Sequence, residues 1–127
     1  MPKKEIINVD MKGGNPNLSP GARFGDLVFV AGQTGTHPDT GKLGDGVAQQ
    51  TRFTIERIKR VLDAAGTNLD NVLSVNCWLT KREDLADFNE EYGKHFTENK
   101  PPRATVEVML NRPDLLVEIM VTACIPS

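Results

Sequence analysis

Two charged residues sit in runs whose other members are mostly apolar. Arg103 lies in Pro101-Pro102-Arg103-Ala104-Thr105-Val106-Glu107-Val108, and Glu118 interrupts Leu115-Leu116-Val117-Glu118-Ile119-Met120-Val121. An arginine fork offers two parallel N–H donors and keeps its charge at any physiological pH, which suits it to holding a small carboxylate. A glutamate inside a strongly apolar strand needs a partner, or its pKa climbs toward neutrality. In that state it can orient or deprotonate a water molecule. Together the two residues read as a carboxylate grip beside a water-activating group, or equally as a structural ion pair at an interface. Thr105 shares the phase of Arg103. Gly32, in Val30-Ala31-Gly32-Gln33-Thr34-Gly35, ends a strand and exposes backbone N–H groups that suit a second carboxylate or oxyanion contact.

Other chemistry-bearing types have less to offer. His37 and His95 are the only histidines, neither within metal-ligand spacing of a cysteine or of the other, so no metal is expected. Cys77 and Cys124 read as buried small hydrophobes in a reducing compartment. No Ser-His-Asp set, P-loop or dinucleotide fingerprint is present. Arg57 to Arg60 reads as a solvated helix face, Trp78 as packing or interface, and Tyr92 as helix-core packing.

The elements that must position these residues follow from periodicity. Residues 5–9 suggest a short strand, and a Gly-, Asn- and Pro-rich loop runs from Asp10 to Gly21. Ala22–Phe24 and Leu27–Gln33 form a hairpin across Gly25-Asp26. From Gly46 to Ala65, Val47, Thr51, Ile55, Ile58, Leu62 and Ala65 make one helical stripe, with Gly66 as the C-terminal cap. Residues 72–80 alternate as a strand, and a second helix runs from Glu83 to Phe96. Pro101-Pro102 forces an extended chain into Arg103. Two closing strands, 103–110 and 116–125, are joined at Asn111–Asp114 as a hairpin that brings Arg103 and Glu118 into one neighbourhood.

The order β-β-β-α-β-α-β-β defines an α+β fold, a single mixed sheet with two helices on one face, over one domain spanning 1–127. The strands at 27–31 and 115–121 are apolar at both parities, so the second face also needs cover. A second copy of the chain is the simplest cover, which implies a homo-oligomer with pockets at the seams. At 127 residues, with 39% hydrophobic and 25% charged residues, the chain is long enough for a modest core. The net charge of -2 and pI of about 5.7 give no basic field for nucleic acid or anionic membrane. No stretch approaches the ~20 apolar residues of a membrane span, and the start lacks a signal peptide's pattern, so the expected location is cytoplasmic.

Taken in order, these segments resemble the RidA (YjgF/L-PSP) family. Gly25–Gln33, Ala64-Ala65-Gly66, Phe88-Asn89 with Tyr92, and above all Pro102-Arg103-Ala104 through Val108 followed by Val117-Glu118-Ile119 carry the likeness. The resemblance implies a chorismate-mutase-like fold assembled as a homotrimer with one pocket at each interface. It also implies hydrolysis of reactive enamines and imines, such as 2-aminoacrylate, to 2-keto acids and ammonia, without metal or organic cofactor. By match, Arg103 grips the substrate carboxylate and Glu118 helps activate water. Gly32 and Thr105 lie in the pocket, and Asn89 lines it from the neighbouring subunit. The chain departs from the family pattern at Leu18, where a tyrosine is usual, and at Ala31, where Ser or Thr is common. At Thr105 a cysteine is frequent. Those departures point to a bulkier or different substrate within the same chemistry. The competing expectation is a non-catalytic 2-keto acid binder. An endoribonuclease or translation inhibitor is disfavoured by the acidic balance and the lack of a basic, aromatic-interleaved stripe.

Overall fold

A computed structural model describes residues 1–127. The long helix α1 spans Gly46–Ala65 and ends on Gly66 in the left-handed region (φ 87°), as the stripe and its glycine require. Its buried face is wider than one stripe. The row Gln50, Thr54, Arg57 and Val61 is buried beside Ile55, Ile58 and Leu62. Arg57 is therefore no part of a solvated face; only Lys59 and Arg60 beside it point outward. The second helix, α2, is shorter than its apolar period suggests. A 3-10 turn at Arg82–Asp84 leads into Leu85–Gly93, and Phe96 packs in the core from beyond the helix end.

The strands are β1 (Glu5–Ile7), β2 (Gly21–Phe24), β3 (Leu27–Val30), β4 (Gln33–Thr34), β5 (Val72–Leu79), β6 (Arg103–Glu107) and β7 (Val117–Cys124). The sheet order is β1-β2-β3-β7-β5-β6, with β4 also paired to β7. The expected closing hairpin does not form. β5 inserts between β6 and β7, pairing parallel with β6 and antiparallel with β7. Proximity in sequence suggested the hairpin, but the crossover through α2 delivers β6 to the far edge of β5 instead, as a strand-helix-strand unit does.

Both helices cover one face. There Val28, Val75, Cys77, Leu79, Val117, Ile119 and Val121 meet Ile55, Ile58, Leu62 and Phe88 in one buried cluster. The other face is uncovered in the single chain. Phe24, Leu27, Phe29, Val106 and Met120 stay 38–53% exposed upon it. The strands that read as apolar at both parities are thus those with one face under helices and one face bare.

One irregularity matters for the site. Phe29 pairs Thr122 and Gln33 pairs Ile119, so the β3–β4 side carries one more residue than β7 across the same interval. The excess falls at Ala31-Gly32 and behaves as a bulge, flipping the side-chain parity between β3 and β4.

Candidate active site: two half-sites on opposite faces

Arg103 opens β6 beside the C-terminal half of α2. Asn89 and Tyr92, three residues apart on α2, face it together. The Arg103 Nη2 donates to Asn89 Oδ1 at 2.7 Å, and its guanidinium carbon lies 4.6 Å from the Tyr92 ring centroid and 5.3 Å from that of Phe88. Tyr92 and Phe96 stack behind at 4.4 Å. The guanidinium is thus held over aromatic faces, a contact of about 0.5–2 kcal/mol. It remains exposed and no carboxylate pairs with it.

Thr105 and Cys77 sit in register two residues along. The hydroxyls of Thr105 and Tyr92 are buried without hydrogen-bond partners. Burial pushes the Cys77 thiol up to about 11 and the Tyr92 phenol to about 12, so neither supplies an anionic nucleophile near neutral pH. Reading Tyr92 as core packing is right for its ring and misses its second role as the bed for Arg103.

Glu118 occupies the other half-site. It is half-buried on β7, opposite Trp78 and Thr34, and makes no ion pair. Burial alone holds its carboxyl above the usual carboxylate range. The bulge sets Gly32 directly against it; a Cβ at Gly32 would overlap the Glu118 carboxylate. Gly32 therefore serves the site first by leaving room. Glu118, Gly32 and Leu18 line one cleft of about 660 Å³, whose wall is the loop from Gly13 to Pro20. Ala31 contributes backbone only: its N–H donates to the Pro20 carbonyl.

The seven sequence-derived residues thus fall into two groups. Arg103, Asn89 and Thr105 gather on the helix-covered side of the sheet edge. Glu118, whose side chain rises from the uncovered face, shares its cleft with Gly32 and Leu18, and Ala31 adjoins it next to Gly32. Register separates them: Arg103 pairs Val75, whose side chain is buried under the helices, whereas Glu118 pairs Trp78, three residues on and of opposite parity. Two strand spacings and three residues lie between them, roughly 10 Å in each direction. Within one chain Arg103 and Glu118 form no ion pair and share no pocket.

One residue of the cleft escaped the sequence reading. Arg57 is only 5% exposed and lines the same cleft as Glu118. Its signal was the buried row Gln50-Thr54-Arg57-Val61, one step beside the obvious stripe.

An open mixed sheet with two helices on one face and a conspicuous arginine and glutamate on its two sides defines a recognisable class. The family pattern described as Endoribonuclease L-PSP matches residues 15–125, and the chain belongs to this family, the RidA/YjgF group. A RutC family protein of Saccharolobus solfataricus is 42% identical over 123 residues, covering 94% of this chain and 97% of that one. The Escherichia coli protein TdcF, by name a candidate reactive intermediate deaminase, is 31% identical over 102 residues, 78% of this chain and 79% of that one. Among solved structures, TdcF with bound serine superposes with a TM-score of 0.88 at 28% identity, over 96% of this chain and 99% of that one. RidA from an Antarctic Psychrobacter superposes at 0.89 with 31% identity, over 95% and 99%. No helix here is long and apolar enough to cross a membrane.

Proposed function

We propose that this protein hydrolyses small 2-imino acids and their enamines to 2-keto acids and ammonia, at a site completed between copies of the chain. The observation that carries this reading is Arg103: an exposed guanidinium, fixed by Asn89 and two aromatic rings, with no carboxylate of its own. Such a cation is ready for a planar anion. TdcF binds serine, a molecule with a carboxylate on the carbon that bears nitrogen, which supports a ligand of this size. Because Arg103 and Glu118 sit on opposite faces, one substrate can meet both only if Arg103 comes from one copy and Glu118 from its neighbour. The bare apolar face beside Glu118 supports assembly as the homotrimer that the family resemblance implies.

In this reading Arg103 holds the carboxylate and Glu118 handles protons. The carboxylate of Glu118 takes a proton from water as the oxygen bonds to the iminium carbon, giving a neutral carbinolamine. Glu118 returns that proton to the nitrogen, the C–N bond breaks, and the hydroxyl proton leaves with ammonia as ammonium. A carboxyl whose pKa is raised by burial suits this exchange better than an ordinary one.

The test generates a short-lived imine from an amino acid with a separate enzyme and follows keto-acid release. Wild type accelerates release over buffer, while Arg103→Ala and Glu118→Gln each do not. Co-assembled from the two inactive variants, mixed oligomers regain part of the activity, since some seams then hold an intact arginine and an intact glutamate. No acceleration by wild type removes the catalytic reading; no recovery on mixing removes the shared site.

A 2-keto acid binding role is the second reading. Leu18 in the cleft wall and Ala31 beside Gly32 favour it, as neither carries a hydroxyl to place water there. Calorimetric keto-acid binding, abolished by Arg103→Ala and unaccompanied by turnover, is its signature.

A further inference from the structure

Arg57 is a buried cation with no carboxylate partner. Its Nε donates to Gln33 Oε1 at 2.9 Å, and its Nη1 to the Lys12 carbonyl at 2.6 Å and the Thr36 carbonyl at 3.3 Å. All three acceptors are neutral. Burial, and after it the neighbouring Arg60, holds its pKa below the usual arginine value, the signature of a charge kept inside at a cost. A structural cation would more cheaply sit outside, as Arg60 does on Asp39.

What Arg57 joins is specific. Lys12 belongs to the loop that walls the Glu118 cleft, and Thr36 follows β4. Gln33 passes the connection on: its Nε2 donates to the Ala31 carbonyl at 3.1 Å. The Ala31 N–H in turn donates to Pro20 at 2.9 Å, the far end of the same loop. Arg57 therefore pins the Lys12 end of the loop directly and, through the Gln33 amide, the bulge that sets Gly32 against Glu118 and whose backbone holds the Pro20 end. The guanidinium has the only side-chain geometry able to serve three acceptors in a plane at once.

We infer that Arg57 is a positioning residue: through Gln33 it locks the Ala31-Gly32 bulge and the loop from Lys12 to Pro20 over Glu118, and so sets how much water reaches that carboxylate. The inference rests on the proposed function only for its effect on turnover. The charged groups lining the cleft besides Glu118 are Arg57 itself and Arg112, which is paired with Asp114 at 2.7 Å.

The direction of one titration separates this role from a purely electrostatic one. Removing a nearby positive charge raises a carboxyl pKa, whereas admitting water to a buried carboxyl lowers it. Carbon-13 NMR of the Glu118 carboxyl in Arg57→Gln is expected to show its titration falling toward 4.5. Arg57→Lys keeps the charge but not the fork and is expected to shift the same way. Gln33→Met, which changes no charge and leaves Arg57 bound to Lys12 and Thr36, is the variant to use if Arg57→Gln fails to fold; it is expected to follow too. In the imine assay each variant loses roughly 10–100-fold in kcat with a smaller change in KM, and the acid limb of the rate profile moves to lower pH with the NMR titration. An unchanged or raised Glu118 titration in folded Gln33→Met overturns the inference. The NMR measurement stands even if the wild type turns over no imine, so the two readings fail separately.

Discussion

The space a side chain would take at Gly32 is filled by the Glu118 carboxylate. Its φ is not in the left-handed region, so the constraint there is steric and is set by the end of the Glu118 side chain. Gly32→Ala must therefore displace Glu118 or open the bulge. The expected result is a loss of roughly 100-fold in kcat, the scale for a catalytic group moved by about 1 Å, with keto-acid affinity at Arg103 little changed. Turnover at the wild-type rate in Gly32→Ala would show that Glu118 does not act from this position. Arg103, Glu118 and Gly32 stood out in the sequence because each breaks its local pattern. That Gly32 makes room, instead of only offering N–H groups, was not legible, because it depends on a bulge created by pairing with a strand some ninety residues away. Arg57 was missed for a related reason: a charged residue beside Lys59 and Arg60 looks solvated until the tertiary fold buries its row of the helix.

At the scale of elements, α2 matters because it carries the bed for Arg103, and beside the packing of Phe88 its seat on α1 has an electrostatic part. Glu91, 3% exposed, receives Arg52 of α1 at 3.2 Å and lies 2.7 Å from His95 and 3.5 Å from Lys94. Burial pushes the Glu91 carboxyl up, but its hydrogen bonds with Arg52 and His95 outweigh that and hold it below the usual range. A carboxyl lowered on folding stabilises the protein above its unfolded pKa near 4.5 and stops doing so as pH falls through its lower folded value. Glu91→Gln should thus cost about 2 kcal/mol in urea unfolding at pH 7 and progressively less below pH 4.5. A pH-independent difference would mean that packing, not charge, seats the helix. Most elements were readable from periodicity: α1 ends where Gly66 predicts, and β5 alternates as its sequence does from Val75 to Leu79. A register irregularity between Val72 and Ser74, however, buries Val72 and leaves Leu73, expected on the buried side, exposed. Pairing was not readable. Nothing local in residues 103–125 says that β5 will come between β6 and β7, because the crossover through α2 decides it.

For the whole molecule, the bare face carrying Phe24, Leu27, Phe29, Val106 and Met120 is the counterpart of the proposed shared site. If copies meet there, Phe29→Glu, which sets a charge at the centre of that face, should yield monomers by sedimentation and abolish imine turnover, while far-UV circular dichroism stays unchanged. Retained assembly in that variant would place the contact elsewhere.

The place of β7 has a consequence for how the chain is made. It comes after every other strand of this sheet in the sequence, yet it is the one to which β3, β4 and β5 all attach. While a ribosome still holds residues 117–124, β1–β2–β3 and β5–β6 are two separate ribbons with no shared seam and with apolar surface on both sides. Folding must then wait until β7 is free to pair and finish in one late step dominated by distant pairings, a slow class of transition. A nascent chain stalled before Leu115 should stay protease-sensitive along its whole length, α1 included, and a chain long enough to free β7 should become protected all together. The same residues that bring Glu118 to the cleft thus act as the fastener of the entire fold, and production of the protein is most exposed to chaperone demand in the interval just before they emerge.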